Sequence, residues 1–339
     1  MARIPAASPH GPVTFARISA RCVAAVIAVA GLAACGNSRA STSQSAMEKP
    51  DVTVAVVPAT SLAGLYIAQQ RGYFAQEGLH VKIVTVASGV NALPDLVNGS
   101  VDIDEGQWTS DVAAEAAGAA RLRVLAPGNS GGNGLEEVVT PPGSAVTSID
   151  QLRGKTIAVN ALKGLAVLLT SNVLNSYGVD PASVHFVVVP FPAMGAALAA
   201  RRVDAAFMTE PFLSAAQDQA GVVSLFDIDQ GAAQNFPIAG YVTTQAWAAR
   251  NPATRGAFAA ALARGQQVAA TRRSAVEQAM IRALKVSKQT AATMALGTYP
   301  LTMTGNDLIR VATLMKLNGL LPPKVNATAL AKEMISGGQ

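Results

Sequence analysis

Hydrophobic and polar positions follow two different periods along the middle of the chain. Residues 52–56 carry a valine at every second position, which predicts a strand with one buried face. Apolar residues at 62–71 recur at helical spacing, with Ser61 as the expected N-cap and Gly72 where a helix end favours a left-handed residue. The pattern therefore predicts a strand followed directly by a helix.

The same order continues through two halves of the chain. The first half adds predicted strands at 80–87 and 101–103 and a predicted helix at 90–98. The second half has predicted strands at 156–159, 184–189 and 203–207, separated by predicted helices at 165–177 and 193–200. Strands and helices that alternate in this way favour parallel sheets with right-handed crossovers. Beyond Val242 the pattern is almost wholly helical.

The two halves also resemble each other in sequence. A T-x-A-V strand, a short turn and an apolar helix recur from Thr53 and from Thr156, and L-x-x-x-x-V-D recurs from Leu96 and from Leu198. The two offsets agree within one residue, which indicates a duplicated lobe. Chance similarity between short apolar segments is the alternative. The helical last third would then return to the first lobe, through chain crossings near residues 140 and 240.

The first 35 residues have a different character. Arg3, Arg17 and Arg21 precede an uninterrupted apolar run at 23–34, far shorter than the roughly 20 residues of a membrane-spanning helix. This arrangement is typical of a secretory signal peptide. The run ends in Leu-Ala-Ala-Cys at Cys35, which resembles the lipobox of bacterial lipoproteins, where cleavage precedes the cysteine and its sulfur is diacylated.

Cleavage at this position determines what the exported chain carries. Residues 1–34 would be the signal peptide, and the Ser- and Thr-rich residues 35–50 a lipid anchor with a flexible tether. Cys22, the other cysteine, would leave with the signal, so no disulfide or thiolate metal site would remain. We expect a protein anchored by lipid on the extracytoplasmic face of the cell membrane. An ordinary signal peptide that happens to contain a cysteine is the alternative.

Composition narrows the classes of partner. Half of the residues are hydrophobic, enough to form a core in the about 290 residues after the tether. Loss of the three signal-peptide arginines lowers the formal net charge from +5 to +2, and the remaining lysines and arginines form no basic stripe. We therefore expect a monomer that does not bind nucleic acid.

Motifs for catalysis are weak. "GNSGG" at 128–132 matches the letters of a nucleophile elbow, but "LEEVVT" follows it and predicts a strand where an elbow requires a helix. His80 and His185 both lie in predicted strands, and Asp104 and Glu105 would point to opposite faces of one strand. The sequence predicts no catalytic residue, no cofactor and no metal site.

Four segments carry a resemblance to a known family: "GLYIAQQRGYFAQEGLHVKIV", "LPDLVNGSVDI", "SIDQLRGKTIAV" and "FMTEPF". From Asp51 to about Gly221 the chain resembles the type II periplasmic binding proteins of the SsuA and THI5-like (NMT1-type) kind. These serve ABC importers for sulfonates, nitrate, taurine and thiamine-pyrimidine precursors. Residues 71–79 match the family's R/K-G-[YF]-F-x-x-E-G-L turn at every fixed position. The last hundred residues match only in being helical.

The resemblance implies a two-lobed α/β fold with two crossover hinge segments and a helical C-terminal third packed on lobe 1. Lobe 1 would comprise residues 51–140 and 242–339, and lobe 2 residues 141–241. The lobes would hold a small organic anion or zwitterion, sulfonate- or taurine-like, for the permease and ATPase subunits of an ABC importer. A pyrimidine or other aromatic nitrogen compound is the alternative ligand. Some relatives are pyrimidine-forming enzymes that use iron and pyridoxal phosphate, but they are intracellular and carry a cysteine-rich motif that this chain lacks.

The expected ligand site lies beyond the carboxyl ends of the strands, where helix N-termini direct free N–H groups. The candidate residues are Thr60, Ser61, Ser88, Gly89, Gln107, Trp108, Thr109, Asn160, Lys163, Gly164 and Glu210.

Each candidate has a simpler alternative role. Ser61 and Thr109 could cap helices, and Trp108 could belong to the core. Lys163 could face solvent. Glu210 stands where the family commonly has an acidic or polar residue before a proline, which implies a ligand with an N–H or amine group, or else ordinary helix capping.

Overall fold

The computed structural model describes residues 47–87 and 89–336. The predicted signal peptide, Cys35 and Ser88 lie outside the described residues. None of the helices within these ranges is long and apolar enough to cross a membrane.

Two five-stranded sheets organise the described residues, in the orders β2-β1-β3-β10-β4 and β7-β6-β8-β5-β9. In each sheet the first three strands are parallel and the fourth runs antiparallel to both of its neighbours. The two sheets thus share one topology, which the repeated sequence pattern predicted. The strands are β1 (Asp51–Val56), β2 (His80–Thr85), β3 (Ile103–Gln107), β4 (Leu122–Ser130), β5 (Glu136–Thr140), β6 (Thr156–Val159), β7 (His185–Val188), β8 (Ala205–Thr209), β9 (Val223–Asp227) and β10 (Pro237–Thr244).

Helices cover both sheets and form the last third of the described chain. Short 3-10 helices lie at Thr60–Leu62, Ile149–Leu152, Pro181–Ser183 and Gly231–Ala233. The α-helices are α1 (Ala63–Gln70), α2 (Tyr73–Gln76), α3 (Gly89–Asn98), α4 (Trp108–Ala116), α5 (Leu165–Ser176), α6 (Phe191–Ala199), α7 (Phe212–Ala220), α8 (Gln245–Arg250), α9 (Pro252–Thr271), α10 (Arg273–Leu284), α11 (Lys288–Thr293), α12 (Gly305–Leu317) and α13 (Ala327–Ser336).

The repeated V-D motif has the same role in both lobes. The Asp102 carboxylate accepts a hydrogen bond from the Thr53 amide at 2.9 Å, and Asp204 accepts one from the Thr156 amide at 2.8 Å. Asp102 therefore fixes β1 against the start of β3, and Asp204 fixes β6 against the start of β8. Asp102 also accepts a hydrogen bond from the Trp247 indole at 2.8 Å, so it additionally holds α8 on the first sheet.

The C-terminal helices complete the core of the first lobe, as predicted. Side chains of α9 and α10 share one hydrophobic cluster with β1 and α1. Two glycines let α1 and α9 approach closely, because a Cβ on Gly265 would lie 2.0 Å from the Gly64 carbonyl oxygen. Beside this contact, the Gln266 side chain donates to the backbone oxygens of Pro127 and Gly128 at 3.1 and 2.6 Å. Helix α9 therefore also holds the end of β4.

The chain crosses between the sheets earlier than predicted. Strand β5, expected in the first lobe, pairs with β8 and β9 of the second sheet, and β10 begins in the first sheet at Pro237. The crossings thus lie at 131–135 and 228–236 instead of near residues 140 and 240. The sequence pattern missed this because antiparallel insertion of β5 depends on pairing with strands about 70 and 90 residues away along the chain.

A third segment runs alongside the first crossing. We call residues 294–299, which follow α11, the hinge strap. Ser130 and Thr298 exchange backbone hydrogen bonds of 3.0 and 3.1 Å, and the Tyr299 hydroxyl donates to the Thr60 carbonyl at 3.1 Å. The helical third therefore contributes to the hinge as well as to the first lobe.

The end of the expected tether is part of the fold. The Glu48 carboxylate accepts hydrogen bonds from the Ala253 and Thr254 amides at 3.1 and 3.0 Å, at the N-terminus of α9. These bonds lower the pKa of Glu48 to about 2. Lys49 donates its amide to Thr254 and forms an ion pair with Asp102. Residues 48 and 49 are therefore fixed on the first lobe, contrary to the prediction of a flexible tether up to residue 50.

Candidate functional site

A small cavity lies between the two sheets, beyond the carboxyl ends of β1, β3 and β8. About 30 Å³ of it is open to the centres of water molecules, room for about two waters. Both lobes contribute to its wall, which makes it the candidate site. The lining residues are Val57, Ala59, Thr60, Ser61, Glu105, Gly106, Gln107, Asn129, Glu136, Phe191, Thr209, Ile238 and Ala239.

Glu105 supplies the cavity wall from the first lobe. It lies on β3 and is only 1% exposed. Burial raises the pKa of its carboxyl to about 8, opposed by hydrogen bonds from the Ser61 hydroxyl and the Val57 amide. Its Oε1 atom has no hydrogen-bond partner among the described residues. The carboxyl therefore has free hydrogen-bonding capacity within the site.

Glu136 supplies a matching carboxyl from the second lobe. It begins β5 and is 6% exposed. Burial and the Asp227 carboxylate raise the pKa of Glu136 to about 8, and a hydrogen bond from the Thr209 hydroxyl opposes the shift. Each carboxyl is thus accompanied by one hydroxyl of its own lobe, which also lines the cavity.

Gln107 links the lobes at one side of the cavity. Its Oε1 accepts a hydrogen bond of 3.4 Å from the Leu165 amide at the start of α5. Gly164 precedes this amide in an extended conformation and lies close to the same oxygen. The helix N-terminus that was expected to bind an anion is therefore occupied by a side chain of the first lobe.

Glu210 ties the second lobe to the hinge. It is 2% exposed, and its carboxylate accepts hydrogen bonds from the Ser214 hydroxyl at 2.6 Å and from the Ser214 and Ala295 amides at 3.1 Å each. Burial raises the pKa of Glu210 against these bonds. Its carbonyl accepts from the Thr60 amide at 3.2 Å. Glu210 is thus absent from the lining: its carboxylate binds the first turn of α7 and the hinge strap, which is not the ligand-facing position that the sequence predicts.

Trp108 and Thr109 belong to the core. Trp108 is 1% exposed, and its ring lies so close to Gly240 that a Cβ there would be 1.9 Å from the ring. Thr109 is fully buried and lies inside α4, whose N-cap is Gln107. Ser61 lies within the 3-10 helix and is not the cap that its position predicted, although it does line the cavity. The expectation that Trp108 and Thr109 face a ligand is therefore corrected.

Asn160 and Lys163, the remaining described candidates of the second lobe, do not line the cavity. Asn160 is buried at 6% exposure beyond β6. Lys163 is exposed and borders a separate, largely apolar groove of about 360 Å³ against α4. Gly89 begins α3, and Ser88 lies outside the described residues. Among the predicted residues the structure thus brings together Thr60, Ser61 and Gln107.

Comparison of the sequence with models of protein families identifies one family. The model of the NMT1/THI5-like family matches residues 59–274, which is more than half of the chain. The chain belongs to the NMT1/THI5-like family. No curated protein matches it.

Solved structures share the fold of this NMT1/THI5-like chain. The nitrate-binding protein NrtA from Synechocystis PCC 6803 aligns with a TM-score of 0.74 and 17% identity, over 85% of this chain and 86% of that one. The alkanesulfonate-binding protein SsuA from Xanthomonas axonopodis pv. citri, bound to MOPS, gives 0.69 and 18%, over 83% and 97%. SsuA from Escherichia coli, an aliphatic sulphonate binding protein, gives 0.65 and 18%, over 84% and 98%. At these identities the likeness establishes the two-lobed periplasmic-binding-protein fold.

Sequence reasoning missed most of the polar lining of this NMT1/THI5-like cavity. Glu105 and Glu136 were considered only as parts of strands, although a carboxylate within an otherwise apolar strand is a signal of a special environment. Asn129 lies in "GNSGG", where β4 ends and a strand follows, as predicted. Among the described residues, no group of three or more His, Cys, Asp or Glu could hold a metal ion.

Proposed function

We propose that the chain is the solute-binding component of an ABC importer, anchored to the extracytoplasmic face of the membrane through a lipid on Cys35. The observation that carries the proposal is the cavity between the lobes, with polar groups from both sheets in its wall. Membership of the NMT1/THI5-like family and the shared fold support it. The importer's permease and ATPase are the proposed partners.

Capture would work by closure of the lobes around the ligand. A hinge equilibrium shifts only as far as the ligand prefers the closed form, so the ligand must contact both lobes. The bonds from Thr60 to Glu210 and from Leu165 to Gln107 join the lobes beside the cavity. Because the cavity has room for about two waters, a larger ligand must enter while the lobes are apart.

The cavity favours a nitrogen compound over the sulfonate-like anion that was expected first. The anion hypothesis depended on free helix N-termini, but Gln107 and Glu210 occupy those of α5 and α7. Glu105 and Glu136 line the cavity, and no lysine or arginine is among the described residues that line it. A ligand with N–H groups fits these acceptors, so the alternative ligand class is the better supported one.

A thermal-shift screen tests the solute-binding role. The panel contains pyrimidines, amines, amidines and guanidines beside taurine, alkanesulfonates and nitrate. A ligand at a hundred times its Kd stabilises the folded state by about 2.7 kcal/mol, a readily measured shift. If neither the panel nor a whole-cell metabolite extract changes the melting temperature, the solute-binding proposal is wrong.

Membrane fractionation tests the lipid anchor. Cys35→Ala should move the exported protein from the membrane to the soluble fraction, because the acylated sulfur is lost. Cys22→Ala is the matched control, since this cysteine lies in the predicted signal peptide, and its product should stay on the membrane. Retention of the Cys35→Ala protein on membranes would contradict the anchor.

A further inference from the structure

Two acidic residues from opposite lobes line one cavity. Glu105 reaches it from β3 of the first sheet and Glu136 from β5 of the second. They are 1% and 6% exposed. Since both are in the lining of the same small space, a bound molecule between them meets the same chemistry on each side.

Among the described residues, none of the titratable groups that act on the two carboxyls is positively charged. The titratable neighbours that act on Glu105, or on which it acts, are Asp104, Asp111, Tyr66 and Tyr241, from β3, α4, α1 and β10. Those that act on Glu136 are Asp227 and Asp229. Buried carboxylates without a counter-charge are unfavourable, because low-polarity surroundings do not replace the hydration of the ion. A positive ligand would remove this penalty.

Buried acceptors without a hydrogen-bond partner also favour a ligand that donates N–H groups. The Oε1 atom of Glu105 and the Oδ1 atom of Asn129 are buried and have no hydrogen-bond partner among the described residues. Asn129 is 4% exposed and also lines the cavity. Buried acceptors are almost always satisfied in folded proteins. N–H groups of a ligand are suitable donors for both.

If the chain is a solute-binding protein, as proposed above, its ligand class follows from this arrangement. We propose that the ligand is a small organic cation with N–H donors at two ends, one held by Glu105 and the other by Glu136. Because each end is held by a different lobe, both carboxylates are satisfied only when the lobes are closed. A sulfonate or nitrate ion would instead face two groups of its own charge.

The proposal predicts the sign of the pH dependence of binding. Burial raises the pKa of Glu105 and of Glu136 to about 8, so the free protein holds both protons near neutral pH. A cation binds the ionised carboxylates and must displace these protons. Its affinity therefore rises with pH between about 6 and 8, by up to about tenfold per pH unit for each carboxyl. An anion shows the opposite trend, because it binds only the protonated carboxyls.

Isothermal titration calorimetry on the purified protein distinguishes these cases. The cationic probes are aminoguanidine, 1,3-diaminopropane and 1,4-diaminobutane, and the anionic probes are ethanesulfonate and nitrate, each measured at pH 6, 7 and 8. We expect a cation to bind, to gain at least tenfold in affinity from pH 6 to pH 8, and to release about one or two protons at pH 7. Proton release is measured in two buffers of different ionisation enthalpy.

Variants of Glu105 and Glu136 test whether these two residues cause the pH dependence of cation binding. Glu105→Gln and Glu136→Gln should each weaken the cation about ten- to a hundredfold and reduce the proton release. Glu137→Gln is the matched control on β5. The Glu137 carboxyl accepts a hydrogen bond from the Ser224 side chain, and Glu137 is not among the lining residues. It should retain the wild-type affinity. The pH trend of the wild-type protein does not depend on how well any variant folds.

Three results overturn the inference in different ways. Binding of ethanesulfonate or nitrate that weakens as the pH rises would exclude a cationic ligand and leave the solute-binding role intact. Absence of binding by all three cations also excludes it, and the wider thermal screen then decides whether the solute-binding role stands. Unchanged affinity in both Glu105→Gln and Glu136→Gln would exclude these residues as the recognition groups.

Discussion

Replacement of Glu105 by glutamine should change how the stability of the ligand-free protein depends on pH. The folded state holds the Glu105 proton up to a pKa of about 8, whereas the ordinary value for this side chain is 4.5. Between these two values the unfolded chain binds fewer protons than the folded one. The free energy of unfolding therefore falls as the pH rises through this window, and glutamine removes this contribution because it has no proton to lose.

The magnitude follows from the size of the window. One proton lost on unfolding corresponds to about 1.4 kcal/mol per pH unit. Between pH 5.5 and 7.5 the variant should therefore gain about 3 kcal/mol relative to the wild type, or roughly 5–10 °C in melting temperature. The contribution of Glu136, on the second sheet, is present in both proteins and cancels.

Melting and urea curves at several pH values provide the assay. The two proteins should have similar stability at about pH 4 and below, where Glu105 is protonated in both the folded and the unfolded chain and resembles glutamine in shape and charge. Asp150→Asn, at an exposed position, should give a curve parallel to that of the wild type. A stability difference between Glu105→Gln and wild type that stays constant from pH 5.5 to 7.5 would show that the buried carboxyl does not retain its proton.

Two further predictions concern packing. Gly265→Ala should lower the free energy of unfolding by about 1–3 kcal/mol, because its Cβ would lie 2.0 Å from the Gly64 carbonyl oxygen. Gly256→Ala, on the same helix and with no atom within 4 Å of the new Cβ, should instead gain about 0.5–1 kcal/mol in the same urea titration. Trp108→Ala should cost about 3–5 kcal/mol in the ligand-free protein, because it empties a core position. A normal melting curve with weakened ligand binding would place Trp108 in the cavity wall after all.

Local pattern was sufficient for most elements of the fold. The predicted strand at 156–159 coincides with β6, and the predicted helix at 62–71 differs from α1 by one residue at each end. These elements are specified by the spacing of neighbouring apolar residues, which any window of the sequence contains. The assignment of β5 to a sheet was wrong because it depends on which distant strands it pairs with, and no local window contains that information.

The place of the site follows from local sequence pattern, whereas the identity of its lining side chains depends on contacts between distant parts of the chain. The cavity lies at the carboxyl edge of the sheets, where the sequence places the candidate site, but most of its polar lining is not among the candidate residues. Glu105 and Gln107 lie two residues apart on β3, so they share the face that meets the cavity. Trp108 lies one residue further and turns with α4 into the core. Which side of the strand faces the other lobe is set by how the lobes meet, and the alternation alone does not determine it.

Fixation of Glu48 and Lys49 on the first lobe has a mechanical consequence. Their bonds to Asp102, Ala253 and Thr254 transmit any pull on the preceding chain into the start of α9 and the first sheet. If Cys35 holds the chain to a bilayer, the first lobe is the stationary half and the second lobe swings relative to it. A force from the membrane then acts on the first lobe alone and not on the two crossings or the hinge strap. Anchoring therefore does not restrict the angle between the lobes.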